Sequence, residues 1–104
     1  MSLVVGNITT SPSNAYVSTN TTAVTFMSIC NYTAGNVTAN VYVVPSGGTA
    51  GNSNIVLSQL LITANDTYQF YAGNEKLIMA NDDSIQVDAS ANNAITTVTS
   101  YTSV

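Results

Sequence analysis

Charge is what this sequence has least of. Only 6% of its 104 residues are Asp, Glu, Lys or Arg, against about 25% in an ordinary soluble domain. Lys76 is the single cation, and the carboxylates are Asp66, Glu75, Asp82, Asp83 and Asp88. His and Trp are absent, and there is one Cys. Without His there is no Ser-His-Asp triad, no Cys-His pair and no imidazole base. Only a perturbed carboxylate is left for acid–base work near neutral pH, so a non-enzymatic protein is expected. One Cys and no His cannot build a structural zinc site, and no cofactor is expected. A single Lys cannot neutralise a run of phosphates, which argues against direct nucleic-acid binding. A lone Cys forms no intrachain disulfide, so the fold rests on packing or on assembly. No apolar run approaches the ~20 residues of a membrane helix. Met1–Asn7 has no basic region, apolar stretch or cleavage site, so it does not read as a signal peptide.

Small neutral polar residues take the place of charge. There are 15 Thr, 12 Ser and 13 Asn, about two residues in five. Five Asn head an Asn-X-Ser/Thr triplet: Asn7, Asn20, Asn31, Asn36 and Asn65. That number is close to what composition alone produces, and it carries no sign of glycosylation. Apolar residues recur with period two rather than 3.6, and Val, Ile, Thr and Tyr suit a pleated, half-buried surface.

The pattern predicts strands over Leu3–Thr9, Ala15–Ser18, Ala23–Tyr32, Val37–Val44, Ile55–Ile62, Thr67–Tyr71, Leu77–Ala80, Ser84–Asp88 and Ile95–Tyr101. Turns are expected at Ser18–Asn20, Thr63–Asp66, Ala72–Glu75, Asn81–Asp83 and Ser90–Asn93. Thr33–Asn36 reads as a hairpin loop, with Gly35 available for positive φ. In the fourth strand Val37, Ala39, Val41 and Val43 share one face, with Thr38, Asn40 and Tyr42 on the other. Pro45–Ser53, nine residues with three Gly, reads as a long flexible loop. Eight or nine short strands with regular turn signals predict one all-β domain over 1–104, an antiparallel two-sheet sandwich of jelly-roll or immunoglobulin-like type. Residues 1–12 form a candidate N-terminal arm.

Several constellations invite a chemical reading. Asp82, Asp83 and Asp88, beside Asn81, offer oxygen ligands to Ca²⁺, though tight turns use the same residues. Exposed tyrosines on one sheet would stack sugar rings, making a carbohydrate-binding module; Tyr42 is the best placed for that. Thr96, Thr97, Thr99 and Thr102 are too broken a row for an ice-binding face. Cys30, inside an apolar run, reads as a small buried hydrophobe.

Low charge also bears on the surface. Strand edges are normally guarded by Lys or Pro, and this chain has one Lys and two Pro. Covering those edges in an oligomer or larger assembly resolves the conflict. The candidate contact residues are Leu3, Val4 and Val5, able to add a strand to a neighbour's sheet or to form an ordinary strand of their own. Pro45, Gly47 and Gly48 of the long loop, and Tyr42, complete the set.

Certain segments carry a resemblance. Ser28-Ile29-Cys30-Asn31-Tyr32 precedes a short Gly turn and then Val37-Thr38-Ala39-Asn40-Val41-Tyr42-Val43-Val44-Pro45-Ser46-Gly47-Gly48. Later come Ile62-Thr63-Ala64-Asn65-Asp66-Thr67-Tyr68, Glu75-Lys76-Leu77-Ile78 and Asp83-Ser84-Ile85-Gln86-Val87. Together, over roughly residues 20–100, the chain resembles small β-sandwich virion structural proteins of tailed bacteriophages, cyanophages included. Such proteins often carry Gly-Asp before the strand that starts here at Ser84, where this chain has Asp82-Asp83. The resemblance implies a virion component assembled in the bacterial cytoplasm. It implies a capsid decoration (cement) protein bound to the major capsid protein, often trimeric, or a small tail, neck or baseplate part bound to other virion proteins.

Overall fold

In a computed structural model, described over residues 2–70 and 77–103, the chain is all-β. Among the described residues nine strands follow one another: β1 Ser2–Ile8, β2 Ser13–Val17, β3 Thr22–Asn31, β4 Val37–Val44, β5 Ile55–Ile62, β6 Thr67–Phe70, β7 Leu77–Met79, β8 Ser84–Ala89 and β9 Ile95–Ser103. The expected end of the sixth strand at Tyr71 and the Ala72–Glu75 turn lie outside the described residues. Two sheets form, one ordered β1-β9-β3-β6 with β7 also on β3, the other β2-β8-β4-β5. The paired strands run antiparallel.

The pairing rule decides between the two expected sandwich types. The first strand pairs with the last, the second with the second-last, the third with β6 and β7, and the fourth with the fifth. A long hairpin rolled up on itself gives this order, which is the jelly roll. It also corrects the local picture at Thr33–Asn36. That segment joins β3 to β4, which belong to different sheets, so it is an arch between layers and not a hairpin. Gly35 has no positive φ there, and the arch is organised by Asn31 instead. Elsewhere the turn residues behave as their chemistry demands. Asn20, Asn65, Asp82 and Asn93 all adopt left-handed φ of 55–68°, a region that Asn and Asp tolerate better than other side chains.

Period-two patterning places one set of side chains between the sheets. Ile8, Val24, Met27, Ile29, Val41, Ile85, Val87 and Ile95 are all fully buried there. Tyr16 and Tyr101 meet at one end, ring centroids 4.8 Å apart. The Tyr16 hydroxyl shares a 2.7 Å hydrogen bond with Thr22 Oγ1, which shares another with Ser18 Oγ. These three buried hydroxyls satisfy one another, as low-dielectric surroundings require. Cys30 departs from expectation. Ile29 and Asn31 point inward, so period two turns Cys30 outward, where it is half-buried.

β9 contributes two misfit groups to the core. Thr97 and Thr99 are fully buried, and their Oγ1 atoms have no hydrogen-bond partner. A buried hydroxyl left unbonded costs about 1–3 kcal/mol. Thr99→Val keeps the shape and removes the hydroxyl. It is expected to stabilise the fold by about 1 kcal/mol, or about 5 °C in melting temperature. Thermal unfolding followed by circular dichroism checks this, and a lower midpoint would contradict it.

Candidate interaction surface

Structure places the sequence-expected contact residues on three separate parts of the molecule. β1 lies at an edge of the first sheet and pairs with β9 from Ser2 to Ile8 without a register shift. Val4 packs against the core and Ile8 belongs to it. The segment is therefore a strand of the sandwich and not a free arm, because its inward residues complete the apolar interior. Leu3 and Val5 point the other way and are 68% and 73% exposed. Leu3 sits opposite Ser100 and Val5 opposite Val98. Val98 is in turn opposite Ser28, and Phe26 opposite Ser100, on the same outer face. That face bears no charged side chain among the described residues: Asp66, Asp82 and Asp83 lie in turns, and Asp88 lies on the second sheet.

Tyr42 does face away from the Val41 side, opposite Gln86. It is nonetheless 8% exposed, too covered to serve as a stacking platform. Its hydroxyl donates to Asp88 Oδ2 at 2.9 Å, while Asn40 Nδ2 donates to Asp88 Oδ1 at 2.8 Å. Asn40 Oδ1 then accepts the backbone N–H of Gln59 at 2.7 Å. Gln59 has φ of 50° and sits in a bulge of β5, where its N–H leaves the regular ladder. The cluster thus caps a bulge. Among the described residues the other tyrosines make no row: Tyr16 is buried, Tyr101 packs on the core, Tyr32 lies beyond the end of β3, and Tyr68 is the one exposed tyrosine on β6.

Burial raises the pKa of Tyr42 above its ordinary value, and the hydrogen bond to Asp88 and the Asp88 charge raise it further. The fold therefore favours the neutral phenol. An unfolded tyrosine ionises near pH 10, so this contribution is complete below about pH 10 and is lost as pH climbs through the higher folded value. Stability is expected to decline above about pH 10, less steeply in Tyr42→Phe. Urea midpoints measured across that range test it, and identical slopes would contradict it.

The loop between β4 and β5 carries hydrogen bonds along its length. Gly48 N–H donates to the Pro45 carbonyl at 2.9 Å, closing a turn with Gly47 at φ 80°. That conformation at the third turn position calls for Gly. A side chain at Gly48 would press on the Pro45 carbonyl and on Val44. Asn54 ties the second half, donating from Nδ2 to Thr49 O and accepting from Gly51 N–H. Asp83 holds the loop to the β7–β8 turn, its Oδ1 accepting from Ser46 N–H at 2.9 Å and its Oδ2 from Ala80 N–H at 3.0 Å. Asp83 and Asp88 are thus engaged at different places. No three acidic, His or Cys residues converge on a metal site among the described residues. The four Thr of β9 divide between the faces, with Thr97 and Thr99 in the core.

Sequence reasoning passed over Asn31 and the Asn40–Asp88 pair. The polar residue at an inward position of β3 was the available signal for the first. For the second there was none, since Asn40 and Asp88 lie 48 residues apart. No protein-family model, curated protein or solved structure matches this chain.

Proposed function

We propose that this chain is a non-enzymatic structural protein of a tailed-phage virion, a decoration protein that stabilises the capsid by binding across its subunits. One observation carries the assembly part: β1 is an open, uncharged edge strand displaying Leu3 and Val5 to solvent. The virion part draws on the sequence resemblance. A surface of hydroxyls and amides costs little to desolvate when its groups find partners. An interface of about 1,600 Å² per contact is a usual stable size, and repetition by capsid symmetry adds avidity. The partner is the major capsid protein, and the place of action is the particle.

Immunogold electron microscopy tests this on phage particles from the chain's own host, with an antibody raised against the purified protein. Gold over the heads is the expected result. Gold confined to tails or necks would move the protein to that part of the virion, and particles without label would overturn the proposal.

A further inference from the structure

We propose that β1 pairs with β1 of a second copy of this chain, antiparallel about a two-fold axis through Val4, with Leu3 opposite the partner's Val5. The inference rests on the assembly reading above and names what the open edge meets.

Over the described residues the sandwich presents four edges, and three are blunted in the ways that discourage strand addition. β5 carries two register shifts against β4 and the left-handed Gln59. β2 has five residues, a register shift between Asn14 and Tyr16, and Pro12 just before it. β6 and β7 have four and three residues. β1 is seven residues long, pairs with β9 without a shift, and contains no Pro and no charge. Its outer N–H and C=O groups form a regular template, and such an edge is the kind that recruits another strand.

The occupant follows from what that template accepts. An added strand must bring no charge to an uncharged face and must be apolar where it stands beside Leu3 and Val5. It must also be free on one side, and β1 itself meets all three conditions. A two-fold axis normal to the sheet keeps both outer faces on the same side, so outward residues meet outward residues. Two central registers satisfy this. With Val5 opposite the partner's Val5, Leu3 stands against the partner's Asn7. With Val4 opposite the partner's Val4, Leu3 meets the partner's Val5 twice, once in each direction. Apolar cross-strand pairing favours the second. Residues Ser2–Gly6 of each copy then pair, and the two four-strand-wide sheets become one continuous sheet. The contact is isologous, so it yields dimers where the resemblance implies trimers.

Light scattering of the full chain over a wide concentration range reads the mass. The expected result is a rise from 10.8 kDa toward twice that value, with Val5→Lys monomeric throughout and its circular dichroism unchanged. A second variant, Leu3→Cys with Val5→Cys and Cys30→Ser, is expected to form a covalent dimer on oxidation. A wild-type monomer at every concentration, a trimer mass, a dimer indifferent to Val5→Lys, or no cross-link in the cysteine variant would each overturn the inference. Monomers in solution with gold on phage heads would sink this pairing and leave the virion reading standing. Dimers with unlabelled particles would do the reverse.

Discussion

Asn31→Ala is expected to destabilise the protein by about 3 kcal/mol, lowering its melting temperature by about 15 °C. Asn31 is fully buried at the end of β3. Its Nδ2 donates to the carbonyls of Gly35 at 2.8 Å and Ile62 at 2.9 Å, and to Thr63 O at 3.3 Å. Its Oδ1 accepts from the N–H and the hydroxyl of Thr33. One side chain therefore shapes the arch between the sheets and ties it to the end of β5 on the opposite sheet. Truncation leaves the carbonyl of buried Ile62 without its donor and opens a gap at a fully buried position, which together cost more than the bonds themselves contribute. Asn36→Ala is the control. Asn36 is exposed and accepts one bond, from Ala64 N–H at 3.2 Å, so its loss is expected to cost under about 1 kcal/mol. Urea denaturation of both variants measures the contrast, and equal midpoints would refute the role of Asn31. Both head Asn-X-Thr triplets, yet the folded chain hides one and exposes the other.

Ile85→Ala is expected to cost about 3–4 kcal/mol. Ile85 lies in the middle of the second sheet, fully buried, between Tyr16 on β2 and Val43 on β4. Removing its outer carbons leaves a cavity that the flanking strands cannot close without breaking their ladders. A domain of this size has about 5–15 kcal/mol in total, and a lone Cys leaves it no internal disulfide to fall back on. The substitution therefore takes a large share of the margin. Leu61→Ala, at a residue 58% exposed on the β5 edge, is expected to change stability by less than about 0.5 kcal/mol. Chemical denaturation of the pair checks the prediction, and a small effect at Ile85 would mean the core relaxes around the gap.

Much of the fold was legible because it is local. Alternation in Val37–Val41 places Val37, Ala39 and Val41 inward, as their burial shows.

 Val43 follows the same parity, opposite Ile85. Asn and Asp marked the tight turns because their side chains tolerate left-handed backbone, and Asn20, Asn65, Asp82 and Asn93 all adopt it. Interactions that join distant segments were not legible in the same way. Tyr42 was readable as facing away from Val41, but its cover and its bond to Asp88 depend on which strand lies beside it. The same holds for the candidate surface. Leu3, Val4 and Val5 stood out by their apolarity, while the division of Val4 inward from Leu3 and Val5 outward depends on pairing with β9.

By itself, then, the sequence determined the strand pattern and the turn positions over the described residues, an all-β two-layer architecture and the near-absence of charge, because each follows from residue type and a period of two. Only the tertiary structure decided that the first strand pairs with the last, making a jelly roll, that Asn31 bridges the layers, and that β1 is the edge left open. Local periodicity repeats identically in any sandwich, whereas strand order is set by the sum of contacts between residues far apart in the chain, which no short stretch encodes.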